Sequence, residues 1–168
     1  MAGPFLIWPD KRLKAPAAPV DAVDDALRAL WNRMLEAMYD MPGVGLAAPQ
    51  IGVGLRAIVV DASDSRDQPV RMANPRIVAT GDETAAQREG SPNLPGLFAD
   101  VARPASVTVA YLDAGGQESE RSFTGLWAAS VQHNIDHLDG RMFFDRLRPV
   151  KRRMLLAKHA KAQRRGGA

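Results

Sequence analysis

His133 and His137 stand four residues apart in the stretch Gln132-His133-Asn134-Ile135-Asp136-His137. In an α-helix that spacing puts both imidazoles on one face, so two nitrogens can converge on one point. A helix offers two ligands to a metal such as zinc in this way. In the His-Glu-x-x-His form of the arrangement, the glutamate takes a proton from a metal-bound water. Here Asn134 holds that place, and a neutral amide accepts no proton near pH 7. Taken alone, the pair reads equally well as a metal site without its base or as two histidines packed in a buried helix.

The helix that must carry the pair has Thr124 as a candidate N-cap and Gly140 as its stop. Trp127, Val131, Ile135 and Leu138 form one apolar stripe, and Leu126, Ala129 and Ser130 flank the histidine face. A helix apolar on two sides is expected inside the fold. Short strands are predicted over Arg56 to Asp61, over Val70 to Ala79 as one or two pieces, weakly over Glu83 to Arg88, and over Ser106 to Leu112. The last of these turns at Ala114-Gly115-Gly116-Gln117 into a partner strand, Ser119 to Thr124. Gly43 to Gly52 reads as a loop of small residues in which Gln50 is the one side chain suited to polar chemistry. No Lys-Ser/Thr follows its glycines, so it is not a phosphate loop. Ahead of it, Asp21 is a candidate N-cap for a helix with Leu27, Leu30, Trp31, Met34 and Met38 on one face, ending near Met41-Pro42-Gly43. Met1 to Val20, with four prolines, is expected as an extended arm on the surface. The fold class is α+β: short antiparallel or mixed sheets around the central motif helix, an N-terminal helix packed outside, and a C-terminal helix.

A chain of 168 residues, 46% hydrophobic and 24% charged, suits a soluble globular protein with one real core. It contains no cysteine, which excludes disulfides and thiolate metal ligands. No apolar run approaches a membrane span and the start lacks a secretory pattern, so no membrane partner and a cytoplasmic location are expected. The net charge of +3 is unevenly placed. Nine Lys/Arg and no acid lie from Arg146 to Ala168, leaving 13 basic against 19 acidic residues in the rest, a balance of −6. The chain therefore divides into a body, 1–148, and a basic tail, 149–168, which is expected to form a helix anchored by Met154, Leu155 and Leu156. The tail suits either a solvated helix or contact with RNA phosphates. It lacks the interleaved aromatics of sequence-specific RNA recognition.

Three ordered segments resemble the peptide deformylase family, and the resemblance runs over nearly the whole chain. Gly43-Val44-Gly45-Leu46-Ala47-Ala48-Pro49-Gln50 is similar to that family's first motif in full. Glu89-Gly90-Ser91-Pro92-Asn93 stands where its second motif, Glu-Gly-Cys-Leu-Ser, belongs. Gln132 to His137 stands where Gln-His-Glu-x-Asp-His belongs. The resemblance implies a divalent ion, Fe²⁺ or Zn²⁺, held by a cysteine and two histidines. It implies a glutamate that activates water to remove formyl from the first methionine of a nascent chain. It implies a glutamine and a backbone N–H that steady the oxyanion, and it places Gly43, Val44, Gly45 and Gly90 beside the bound peptide. It also implies ribosome docking through a basic C-terminal helix.

Carried onto this chain, the metal ligands are His133, His137 and Ser91, and the catalytic positions are Gln50 and Asn134. Ser91 replaces the cysteine, and a hydroxyl that stays protonated is a weak ligand. Pro92 has no N–H, so that oxyanion donor is lost. Asn134 replaces the base. The expectation is a deformylase-like protein with little or no deformylase activity, holding a divalent metal at low occupancy or not at all, that still binds peptide N-termini. Two alternatives stand beside it. One is an active metal-dependent hydrolase of formyl-Met chains in which Asp136 or Glu89 takes the proton. The other is a non-catalytic protein that binds ribosomes or RNA through its tail.

Overall fold

A computed structural model describes residues 4–166; the outer ends of the predicted arm and tail, 1–3 and 167–168, lie outside it. Strand β1 (Gly45–Ala47), β2 (Ala57–Val60), β3 (Val70–Thr80), β6 (Ser106–Leu112) and β7 (Glu118–Thr124) form one antiparallel sheet in the order β1-β2-β3-β6-β7. Strands β4 (Thr84–Ser91) and β5 (Leu94–Pro104) form a separate antiparallel pair. Helix α1 (Asp25–Asp40) and helix α2 (Gly125–Leu138) cover opposite faces of the larger sheet, and helix α3 (Pro149–Gly166) closes the chain. This is the expected α+β architecture around the motif helix.

The pleat of β2 explains the layering. All four of its residues are buried, and successive side chains point to opposite faces. Ala57 and Val59 pack with Leu27, Leu30, Trp31, Met34 and Met38 of α1. Ile58 and Val60 pack with Val131, Ile135 and Leu138 of α2. The histidine helix is thus clamped by its apolar stripe, and its other face is left for the site. A third cluster, Leu13, Leu94, Val101, Met142, Phe143, Phe144 and Leu155, joins the β4–β5 pair to the N-terminal arm and α3.

Several local expectations need correction. The N-cap of α1 is Asp24, whose side chain accepts from Leu27 N at 2.8 Å, and not Asp21. Asn74 holds both backbone groups of Val20, at 2.7 and 2.8 Å, and this keeps the chain extended just before the helix. The arm is not wholly superficial, because a 3-10 turn over Lys11–Leu13 drives Leu13 fully into the core. Gly43 to Gly52 is not simply a loop: it contains β1, paired with β2, and a 3-10 turn over Ala48–Ile51. Val70 to Thr80, expected as one or two strands, is one strand with two irregularities. Strand β5 had no counterpart in the expectation. In α3, Leu155 is buried but Met154 is 58% exposed, and His159, one turn beyond Leu155, is the second buried contact. Thr124 stands at the N-cap of α2 but makes no capping bond with its side chain.

Candidate functional site

Helix α2 brings its two histidines together as the spacing required. His133 Nε2 and His137 Nε2 lie 3.1 Å apart. Glu89, at the end of β4, accepts from His133 Nδ1 at 2.8 Å. Since a carboxylate can only accept, this bond assigns the proton to His133 Nδ1. With that tautomer His133 Nε2 accepts from His137 Nε2, and His137 Nδ1 is left buried without a partner. Complete burial, then the neighbouring His133 ring and the Arg103 guanidinium, push His137 well below its ordinary value of 6.5.

Behind the histidines lies a buried charge network that sequence reasoning did not supply. Arg103 of β5 is 4% exposed. It grips Glu89 through Nε at 2.6 Å and Nη2 at 2.9 Å, and it reaches Asp136 through Nη1 at 2.9 Å. Arg146 closes the far side of Asp136 at 2.6 and 3.0 Å. Burial pushes both carboxyl groups up, but hydrogen bonds outweigh it. Those from His133 and Arg103 hold Glu89 below its ordinary value, and those from Arg146 and Arg103 do the same for Asp136. Leu97, Ala99, Val101 and Arg103 alternate with more exposed residues along β5, but Pro95-Gly96 hid the strand, and the alternation marks an inward-facing position without marking a buried arginine.

Gln50 and Ser91 meet at a second buried cluster around Asn93, which is fully buried. Gln50 accepts from Ala47 N at 2.9 Å, which fixes its amide. Gln50 Nε2 then donates to Asn93 Oδ1 at 2.8 Å and to Ser91 Oγ at 3.3 Å. The Ser91 hydroxyl donates to the same Asn93 oxygen at 2.9 Å. Asn93 had no assigned role in the sequence; it is the clamp that holds both.

Asn134 turns its Nδ2 to Ser130 O at 2.8 Å, and its Oδ1 is buried with no donor from the protein. Gly45 lies hard against it: a Cβ there would sit 2.2 Å from Asn134 Nδ2 and 2.4 Å from Ser130 Oγ. Only a glycine lets β1 run this close to α2. Gly43, Val44, Gly45, Gln50, Gly90, Ser91, Pro92, His133 and Asn134 all line one cavity of about 480 Å³. The structure therefore gathers every candidate site residue except His137 around one cavity, with His137 held against His133.

Residues 3–153 match the family model of polypeptide deformylase. The chain belongs to the polypeptide deformylase family. It is 46% identical to peptide deformylase 2 of Xanthomonas campestris pv. campestris over 164 residues, covering 96% of each protein. It is 41% identical to the crystal structure of a peptide deformylase from Legionella pneumophila, with a TM-score of 0.89 over 97% of this chain and 96% of that one. The Ehrlichia chaffeensis peptide deformylase solved in complex with actinonin has a TM-score of 0.89 at 35% identity, covering 95% and 96%. The deformylase fold is therefore shared over almost the whole length.

Peptide deformylases are metal-dependent, so the donor set of this member can be tested against that need. The two Nε2 atoms point at each other and already satisfy one another across 3.1 Å. The Ser91 hydroxyl is committed to Asn93. Among the described residues, no group of three or more His, Cys, Asp or Glu side chains is placed to hold an ion. The two imidazole nitrogens converge as ligands would, but a protonated hydroxyl in place of a thiolate leaves the set one good ligand short, so the residues present do not fit the metal that the family uses.

The rim of the groove is held by a separate latch. Arg66, at a left-handed φ of 58°, donates to Gly43 O and to Asp61 O and lies 5.2 Å over the ring of Tyr39. Tyr39 donates to Asp61 Oδ2 at 2.6 Å. Burial, then this bond to Asp61, pushes the Tyr39 hydroxyl from its ordinary 10.0 up to about 12. The unfolded chain ionises near the ordinary value, so the stabilisation is complete below pH ~10 and fades as pH climbs towards ~12. Phenolate absorbance should show a step near pH 12 that Tyr39→Phe removes, and the same change should flatten the loss of Tm across that window. A phenolate step near pH 10 that Tyr39→Phe removes would contradict this.

Proposed function

We propose that this deformylase-family protein holds peptide N-termini in the groove beside Gly43 to Gln50 and has lost most of the family's formyl hydrolysis. Strand β1 lies at the edge of its sheet, with one side paired to β2 and the other open to the cavity. A peptide can add there as a further strand, with Gly90 of β4 on the opposite wall. In this reading Gly43, Val44, Gly45 and Gly90 touch the peptide, His133, His137 and Ser91 mark a metal position of low or no occupancy, and Gln50 and Asn134 mark the former catalytic positions.

The observation that carries the proposal is the fate of the proton acceptors. Asn134 presents an amide where the base is needed. Glu89 and Asp136, the acids that could take over, are each tied by Arg103 and by His133 or Arg146 and held below the usual carboxylate range. A carboxylate so stabilised is a poor base. This argues against the alternative of an active hydrolase using either acid.

The test is hydrolysis of formyl-Met-Ala-Ser with added Fe²⁺, Ni²⁺ or Zn²⁺, beside the Xanthomonas campestris relative. Loss of a base typically costs about 10²–10⁴-fold, so kcat/KM should fall at least ~10²-fold below the relative's. Turnover equal to the relative's with any of the three ions would overturn the reading.

A further inference from the structure

The inner end of the groove is short of hydrogen-bond donors. Gln50 commits both amide protons, to Asn93 and Ser91. Ser91 commits its own to Asn93. Asn134 Nδ2 faces Ser130 O, which can only accept, so this amide cannot be turned round without loss. Pro92 has no N–H at all. One acceptor remains in the same lining: Asn134 Oδ1, on a residue only 2% exposed, receives no donor.

We infer that the groove prefers a peptide with a free α-ammonium over the same peptide carrying an N-formyl group. The inference rests on the reading that the groove binds peptide N-termini. A formamide brings a carbonyl oxygen that finds no donor at this wall, and a buried oxygen without a donor is costly. An ammonium brings three donors and no acceptor. The ligand is then what an N-formyl hydrolase releases, and this chain acts after that class of reaction instead of performing it.

The experiment uses the full chain, as purified and after dialysis against chelator, and one Met-Ala-Ser peptide with a C-terminal fluorophore. The peptide is prepared with a free, a formylated and an acetylated N-terminus, and Kd is read by anisotropy. The free form should bind about tenfold more tightly than either blocked form. Asn134→Leu should erase most of that preference by removing the open acceptor. Pro92→Leu, which returns a backbone N–H, should narrow it from the other side and serves if the first variant fails to fold. Equal or tighter binding of the formylated peptide overturns the inference and leaves the peptide groove standing. No binding of any of the three overturns both.

Discussion

Ser91→Cys, Pro92→Leu and Asn134→Glu, made together, should raise kcat/KM for formyl-Met peptides at least ~10³-fold over the unaltered chain when Fe²⁺, Ni²⁺ or Zn²⁺ is supplied. The reasoning starts from what is already in place. His133 and His137 converge, Glu89 orients His133, and Gln50 is fixed by Ala47 N. A cysteine at 91 supplies the thiolate that a hydroxyl cannot, and it removes the proton that Ser91 gives to Asn93. A residue other than proline at 92 returns an N–H, and a glutamate at 134 returns a base. The gains are not expected to multiply, because base and oxyanion donor act on one reaction and both need the ion. Asn134→Glu alone should therefore change little. Ser91→Cys alone should let the protein keep one ion through dialysis without turnover. If the triple variant retains an ion and remains inert, the groove differs from the family's in some further way and the three positions do not explain the loss.

The parts of this site that were legible in the sequence are those set by local spacing. His133 and His137 converge because the i, i+4 interval on a helix makes them do so, and the stripe Val131, Ile135, Leu138 told which way the helix faces. Alternation in Ser106 to Leu112 and the Gly115-Gly116 turn marked the β6–β7 hairpin. What escaped was set by contacts distant in the chain. Arg103 earns its place from Glu89 and Asp136, 14 and 33 residues away, and nothing in its own neighbours requires a buried arginine. Asn93 reads as a turn residue and becomes a clamp only because Gln50, 43 residues earlier, arrives beside it. Strand β1 was hidden because it is only three residues long, Gly45-Leu46-Ala47, and stands among glycines, alanines and a proline; its pairing to β2 and the closeness of Asn134 select it.

Arg103→Met should destabilise the protein by about 3–5 kcal/mol, the usual cost of removing one partner from a buried ion pair. For a chain of this size that corresponds to a fall in Tm of roughly 6–20 °C. The loss comes from what is left behind. Glu89 and Asp136 are 8% and 6% exposed, so neither can recover its hydration when the guanidinium goes. The two are not equivalent, and this gives the prediction its internal check. Asp136 keeps both bonds from Arg146, whereas Glu89 keeps only His133. Adding Glu89→Gln to Arg103→Met should therefore restore more stability than adding Asp136→Asn, since it neutralises the carboxylate left more poorly paired. Thermal melts of the three variants decide it. A loss within ~0.5 kcal/mol for Arg103→Met would mean that the network contributes no more than a surface charge. Equal rescue by the two second changes would mean that Arg146 does not hold Asp136 as the geometry requires. Either result would also loosen the case for His133, whose ring is steered by Glu89 and hence by Arg103, and with it the shape of the peptide groove.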